Sequence, residues 1–432
     1  MELLDKIKDR HALISVIGLG YVGLPLAVMF SESGFYVHGI DIDQAKIDSI
    51  NSGESYIEDV ESSRLTNVVR KGGTGKLFAT TDFDVLCESD VVIICVHTPL
   101  SKTKDPDVSH ILTAVKEISA RLKKDTLIVL ESTTYPGTTL ELVLPIVENH
   151  GEVQNRKLGS NLFLAFSPER IDPGQLEWTI SNTPKVIGGV TENCTEVASA
   201  LYGAIVDRVV PVSSPTVAEM VKLLENTYRA TNIALVNEVA IMCDRLGVDV
   251  WEIIEAAKTK PFGFMPFYPG PGLGGHCIPV DPQYLAWKMK TLNYNARFIQ
   301  LAEEINLSMP EFWVSKIQEK LNDQGKPVKQ SEILVLGVSY KKDVSDTRES
   351  PALDVIKHLL DKGASVSYFD SRVSDILVEQ TNLYSIDQAE LTSRIESADC
   401  VVILTDHTDT EWDVVRDKAT AIVDTRNALG SH

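Results

Sequence analysis

Apolar residues in the first 205 positions come in short continuous runs. Leu13-Ile14-Ser15-Val16-Ile17, Tyr36–Ile40, Val91–Val96, Thr126–Leu130, Leu162–Phe166 and Lys185–Gly189 are separated by stretches with helical periodicity. Strands that are apolar throughout are buried on both faces, which predicts a parallel sheet with helices packed on either side. Pro211-Val212-Ser213-Ser214-Pro215 reads as a linker. From Thr216 an amphipathic pattern without proline runs to about Leu246, predicting one helix of unusual length, with more helix to about Leu321. A second α/β unit starts at Ile333–Val338 and continues through Ala364–Asp370, Cys400–Thr405 and Ala421–Asp424. The expected fold is therefore α/β, with two Rossmann-like doubly wound domains (1–212 and 326–432) joined by a helical middle (213–325).

Composition narrows the partners. The chain has 432 residues, too many for one core, and a net charge of −20 that argues against nucleic acid or an anionic membrane. Its six cysteines are scattered with no CxxC pair, as in a reducing cytoplasm, and suggest neither a disulfide framework nor a zinc site. His276-Cys277 is a conceivable metal pair, but no second His/Cys cluster completes it, so no metal is expected. The first residues lack an apolar signal core and no run is long enough to span a bilayer, so a cytoplasmic location is expected.

The run Leu13–Ile17 leads into Gly18-Leu19-Gly20-Tyr21-Val22-Gly23, followed by a helical segment and a second strand that ends at Asp41. Glycines at these positions allow a tight turn and the close pass of a pyrophosphate over a helix N-terminus. Asp41 falls where a carboxylate binds both ribose hydroxyls and repels a 2′-phosphate, so NAD is expected rather than NADP, although Lys46 lies nearby.

Further candidates lie on loops and on one helix face. Gly270-Pro271-Gly272-Leu273-Gly274-Gly275-His276-Cys277 presents a cysteine at the end of a glycine-rich loop, with Asp281 four residues on. Such a cysteine is either a covalent nucleophile or a turn residue packed into the fold. Lys222, Asn226 and Arg229 share one face of the long helix, where they could meet an anionic, hydroxyl-rich ligand or form a solvated stripe with a Glu225–Arg229 pair. Thr98, Thr133 and Glu169 follow three strands, where a doubly wound sheet places its ligands, although hydroxyl and proline residues are also ordinary turn formers. Ser339-Tyr340-Lys341-Lys342 closes a strand, and Ser350-Pro351 has the form of a helix N-cap followed by N1.

Six segments, Gly18–Ala27, Glu131–Thr139, Phe166–Ile171, Lys222–Ala230, Pro269–Pro282 and Tyr340–Pro351, resemble in order and spacing the UDP-glucose/GDP-mannose dehydrogenase family over nearly the whole chain. The resemblance is greatest to the branch that oxidises UDP-N-acetylhexosamines, UDP-N-acetylglucosamine above all, to precursors of surface polysaccharide. It implies two NAD-dependent oxidations at C6, a homodimer through the central helix and a UDP-binding C-terminal unit. Cys277 matches the nucleophile that carries a thiohemiacetal and then a thioester, Lys222 the lysine that assists proton transfer, Asn226 its oxyanion partner and Asp281 the base for water. Glu169 and Thr133 match the residues that support the water. Gly18, Gly20, Tyr21, Val22, Gly23, Asp41, Lys46, Thr98, Thr133 and Arg348 match cofactor contacts. Substrate contacts fall on Glu169, Arg170, Ile171, Lys222, Asn226, Arg229, Tyr268, Gly274, Gly275, Tyr340, Lys341 and Arg426.

Two departures bear on the sugar. The UDP-glucose branch has a second glutamate where this chain has Pro173, and the UDP-N-acetylmannosamine branch has a His-Pro-Arg element where this chain reads Thr259–Phe264. The aromatics Phe262, Phe264, Phe267 and Tyr268 could pack on an acetamido methyl or simply on the helical domain. Two rivals remain. A non-catalytic nucleotide-sugar-binding protein would be expected to lose Cys277, Lys222 or Asp281, and a single-step β-hydroxyacid dehydrogenase would need neither the cysteine loop nor a third α/β unit.

Overall fold

In the computed structural model, residues 2–57, 59–69, 75–101, 105–149, 156–170 and 177–430 are described. They form two compact units, one of residues 1–225 with 287–292 and the other of 226–286 with 293–432.

The first unit is built on an eight-stranded sheet: β1 (Leu13–Ile17), β2 (Tyr36–Ile40), β3 (Leu77–Thr80), β4 (Val91–Ile94), β5 (Thr126–Leu130), β6 (Leu162–Phe166), β7 (Lys185–Gly189) and β8 (Val209–Val212). Its spatial order is β3-β2-β1-β4-β5-β6-β7-β8. Alternate residues feed two cores. Ile14, Val16, Leu127 and Val129 pack with Leu24, Phe30 and Tyr202 on one face, while Ile17, Ile94, Ile128 and Leu130 pack with Ile118 and Phe166 on the other. Burial on both faces explains why these strands read as unbroken apolar runs.

The parallel expectation needs one correction. β7 runs antiparallel to β6, with Phe166 opposite Gly188, and β8 then runs parallel to β7. Part of the expected linker is also strand, since Val209–Val212 adds β8 to the sheet edge. The long helix, Pro215–Leu246, starts on a proline whose fixed φ suits a first turn. Its first turns are held by Glu219, a buried carboxylate that accepts the Gly137 and Thr139 amides at 2.6 and 2.9 Å and the Thr139 hydroxyl at 2.7 Å.

In the second unit the rest of the long helix is followed by the helices Val250–Lys258 and Arg297–Asp323, the second of which pairs with it through Lys316 and Asp244 at 2.7 Å. A buried amide network joins the long helix, the glycine loop and Arg297–Asp323. Asn237 donates to Asn306 Oδ1 at 2.9 Å and accepts the Gly270 amide at 3.0 Å, and Trp313 Nε1 donates to the Gly270 carbonyl at 3.0 Å. The second sheet, in the order β10-β9-β13-β14, is parallel, with β9 (Glu332–Leu336), β10 (Ser365–Phe369), β13 (Cys400–Ile403) and β14 (Ile422–Asp424). A hairpin of β11 (Asp375–Val378) and β12 (Thr381–Tyr384) was not expected from sequence. Ser350 caps the helix Pro351–Asp361 as read, accepting the Ala352 amide.

Asp370, at the end of β10, pins this unit. It accepts the Val338 amide at 2.7 Å and the His407 Nε2 proton at 3.1 Å. His407 Nδ1 accepts the Asp343 amide at 3.0 Å, which leaves Nε2 as the proton carrier. Burial alone would raise the Asp370 pKa, but the His407 and Val338 hydrogen bonds outweigh it and hold the carboxyl below its ordinary 3.8. The stability this gives is present above pH 3.8 and is lost as pH falls through the lower folded value. Asp370→Asn should lose about 1–3 kcal/mol at pH 7, and the gap to wild type should close as pH falls below about 4. Urea unfolding followed by circular dichroism at pH 7, 5 and 3 measures it; a gap that widens in acid would contradict this assignment.

Candidate active site

In the first unit the nucleotide cradle is built at the carboxyl ends of β1 and β4. Gly18 adopts φ +89°, and a Cβ there would lie 2.6 Å from the Cys95 carbonyl oxygen. A Cβ on Gly23 would fall 1.8 Å from the Gly18 oxygen, whereas nothing described lies within 4 Å of one on Gly20. The first and third glycines thus close the turn and the second leaves its outer face open, as a passing pyrophosphate requires. Val22 caps the helix Gly23–Glu32 without a side-chain hydrogen bond, and its first turn carries no acidic residue, so the positive end of the helix is not neutralised by either. Asp41 is buried; it accepts the Leu19 amide at 2.8 Å and the Asp43 amide at 3.0 Å, with Lys46 Nζ at 3.4 Å. Asp41 therefore braces the turn it was expected to serve. These residues fit a dinucleotide. Thr98 donates to the Thr133 carbonyl at 2.7 Å, which joins two expected site residues on neighbouring strand ends.

Past β5 and β6 the same edge collects charge. Glu169 takes the Arg170 amide on Oε1 at 2.8 Å, and its carbonyl accepts Lys222 Nζ at 2.5 Å. Arg170 donates to the Pro184 carbonyl at 2.7 Å and pairs with Glu225. Lys185, which the sequence reading took only as the start of a strand, is 5% exposed. Its Nζ lies 3.0 Å from Glu131 Oε1 and 3.7 Å from Glu169 Oε2. Tyr202 donates to the same Glu131 oxygen. Burial works against charge on Lys185, but Glu131 and Glu169 outweigh it and hold the ammonium protonated. Lys185 was missed because only the reversal of β7 brings a strand's first residue to the carboxyl edge. Ile171 and Pro173 lie outside the described residues.

In the second unit Cys277 is exposed at the end of its loop. Its carbonyl accepts the Asp281 amide at 2.9 Å, starting the helix Asp281–Thr291. The Asp281 carboxylate is buried and accepts Asn226 Nδ2 at 2.5 Å. Lys222 and Asn226 are one turn apart on the unbroken long helix, a spacing of about 5–6 Å between Cβ atoms. The glycine loop lies against Tyr340. Gly275, at φ +85°, donates to the Arg348 carbonyl at 3.0 Å, and a Cβ on Gly274 would fall 2.6 Å from the Tyr340 Cβ. Arg348 pairs with Asp346 at 2.7 Å, and Ser339 donates to the Lys341 carbonyl at 2.8 Å. Arg426 is desolvated, which lowers its pKa, and donates to the Leu404 carbonyl at 2.9 Å. Arg229 is half-buried. Tyr268 stacks on Trp251 and donates to Glu255 at 2.8 Å, so its ring and hydroxyl are engaged by the helix Val250–Lys258. Phe262 and Phe264 are exposed.

Profiles of the UDP-glucose/GDP-mannose dehydrogenase family match all three parts of the chain: the NAD binding domain at residues 12–206, the central domain at 216–308 and the UDP binding domain at 334–431. A UDP-N-acetyl-D-mannosamine dehydrogenase of Methanococcus maripaludis is 37% identical over 398 residues, 91% of this chain and 86% of that protein. A UDP-N-acetyl-D-glucosamine 6-dehydrogenase of Pseudomonas aeruginosa is 35% identical over 362 residues, 84% and 83% of the two chains. The structure of a UDP-D-ManNAc dehydrogenase from Pyrococcus horikoshii superposes with a TM-score of 0.84 at 35% identity, covering 97% of this chain and 96% of that one. The chain belongs to the UDP-glucose/GDP-mannose dehydrogenase family and uses NAD.

Asp41 braces the fingerprint, and with a ribose bound where the fingerprint leads one to expect it, a 2′-phosphate would place two negative groups together. NAD should be preferred over NADP by at least about tenfold in kcat/KM, or about 1.4 kcal/mol. Asp41→Ala should narrow that gap and also raise the KM for NAD, since two backbone amides lose their acceptor. Steady-state kinetics with both cofactors decide it, and equal use of the two by the unmodified protein would refute this role for Asp41.

Proposed function

We propose that this member of the UDP-glucose/GDP-mannose dehydrogenase family oxidises C6 of a UDP-N-acetylhexosamine from alcohol to carboxylate, with the N-acetylglucosamine epimer preferred. The observation that carries the reading is Cys277, exposed on a glycine loop, four residues before a buried Asp281 that Asn226 holds at 2.5 Å. NAD supplies the hydride acceptor, one molecule for each oxidation. Lys222 takes part in removing the C6 hydroxyl proton during the first oxidation. The Cys277 thiolate then adds to the aldehyde carbon, forming a C–S bond and a thiohemiacetal. An aldehyde presents its one hydrogen on a trigonal carbon, and the adduct presents it on a tetrahedral one. After the second two-electron oxidation the cysteine holds a thioester. Water adds to that carbonyl, the C–S bond breaks and the thiolate leaves. One water proton passes to Asp281, and the other is lost as the acid ionises. Lys222 and Asn226 stabilise the oxyanions on the way.

Support for the N-acetylated sugar comes from the relatives named for UDP-N-acetylmannosamine and UDP-N-acetylglucosamine. The mannosamine epimer is the second reading, favoured by the names of several relatives at 36–38% identity. Tyr340, Lys341 and Arg426 are proposed contacts of the UDP moiety. In the second unit Leu235, Met242 and Leu246 are exposed along the long helix, which supports a homodimer built there.

Two NADH should form per UDP-sugar, with a uronic acid as product. Cys277→Ser should lose turnover by ~10³-fold or more while retaining UDP-sugar binding. Near wild-type turnover in that variant would eliminate the covalent route. Among UDP-N-acetylglucosamine, UDP-N-acetylgalactosamine, UDP-N-acetylmannosamine and UDP-glucose, the first should have the highest kcat/KM and UDP-glucose should fall about a hundredfold below it. Should UDP-N-acetylmannosamine rank first, the second reading holds and the reaction class stands.

A further inference from the structure

The proposed chemistry gives no role to a buried ammonium at the sheet edge. Lys185 is carried there by topology: β7 reverses against β6, so its first residue lies beside the residues that follow Phe166. The segment Pro184–Lys185 then meets Arg170 and Glu169, which follow β6. The Pro184 carbonyl accepts Arg170 Nη1 at 2.7 Å, and the Lys185 ammonium faces Glu169 Oε2 at 3.7 Å. On its other side the ammonium is anchored by Glu131 at 3.0 Å, which Tyr202 also holds, and the Tyr202 ring lies 5.2 Å below the ammonium. Contacts on Glu169 thus include the Arg170 amide on Oε1, Lys185 at Oε2 and Lys222 on its carbonyl.

A pair made only for stability would be a poor investment here, since well-packed apolar residues of similar volume are commonly as stable as a buried ion pair. The third group, Glu169, separates this case from a closed pair. Its carboxylate is the less buried of the two, at 13% side-chain exposure against 0% for Glu131. The ammonium therefore joins an inner anchor to an outer carboxylate.

We propose that Lys185, anchored by Glu131, is a positioning residue that fixes the Glu169 carboxylate for the hydrolytic step of the reaction. The inference rests on the reading that Cys277 carries a thioester and that Glu169 supports the attacking water. In that step the water oxygen bonds to the acyl carbon and the sulfur leaves as thiolate. Lys185 neither forms nor breaks a bond in it. Loss of the ammonium should therefore slow release of the product from Cys277 and leave binding of the UDP-sugar nearly unchanged.

Lys185→Met alone would leave Glu131 as an uncompensated buried carboxylate, so the informative variant is Lys185→Met combined with Glu131→Gln, compared with Glu131→Gln alone and with Lys185→Arg. The double variant should fall by about ten- to a hundredfold in kcat with KM for the UDP-sugar changed by less than about threefold. Intact-protein mass spectrometry during turnover should show the Cys277 acyl adduct accumulating in it. Glu131→Gln retains the ammonium beside Glu169 and should show a smaller loss without the adduct. Lys185→Arg should recover most of the rate. The proposal is overturned if the double variant and Glu131→Gln behave alike, if kcat falls with no adduct, or if Lys185→Arg is as slow as the double variant. Glu169→Gln separates failure of the parent reading. If that variant never accumulates an adduct either, Glu169 has no part in hydrolysis, and the role assigned to Lys185 falls with it.

Discussion

A sheet covered by apolar helices on both faces leaves polar chemistry one place to go, the ends of its strands. In the first unit Ile17, Ile94, Leu130 and Phe166 are sealed in the core, and the residues that follow them are Gly18, Cys95–Thr98, Glu131–Thr133 and Ser167–Arg170. The second unit obeys the same constraint. Leu336, Phe369 and Ile403 are buried, and Gly337–Lys341, Asp370 and Thr405–His407 come next. The two solutions agree in detail. Gly18 and Gly337 both take positive φ and donate to the last carbonyl of the neighbouring strand, at 2.8 and 2.9 Å. Asp41 accepts the amide after Gly18 just as Asp370 accepts the amide after Gly337. After that point the units diverge. The first continues with Gly20 and open space, whereas the second continues with Ser339, Tyr340 and Lys341, side chains suited to a base and a phosphate.

The charges at this sheet edge are matched locally. Net charge is −20, yet the edge past β5 and β6 brings Arg170, Lys185 and Lys222 together around Glu169. Burying an ammonium is costly unless opposite charge comes with it. Glu131 meets that need from inside the fold, so Lys185 can face Glu169 from a position closed to solvent.

Much of this was legible in the sequence, and the reasons it was legible are physical. β1, β2, β5, β6 and β7 match the apolar runs residue for residue, because burial on both faces removes the ambiguity that alternation leaves. The long helix and the Ser350 cap were also readable, from a stretch with no helix breaker and from a Ser-Pro start. What escaped was set by distant pairing. Leu77–Thr80 and Val209–Val212 are strands because each pairs along one neighbour, and Asp375–Tyr384 is a hairpin packed on the edge of the second core. The direction of β7, and with it the placement of Lys185, depends on the connection that precedes it and leaves no local mark. Tyr268, an aromatic near the cysteine loop that suggested a sugar contact, has Trp251 and Glu255 as neighbours, and neither pairing could be read from the sequence.

The same structure separates what is costly to change from what is cheap. The reaction proposed for Cys277 requires a nucleophile, an oxyanion partner and a base; Asn226 and Asp281 hold each other in a buried contact, and Asn237 holds Gly270 at the start of the cysteine loop. Removing one of them leaves another polar group buried without its partner, at about 1–3 kcal/mol or more. Telling one C2 epimer from another needs only about 1–3 kcal/mol of differential contact, which one or two side chains on a surface loop can supply. Phe262 and Phe264 are exposed and lie outside that buried network. Relatives at 35–37% identity bear the names of two different epimers, a difference that so small a contact energy can carry.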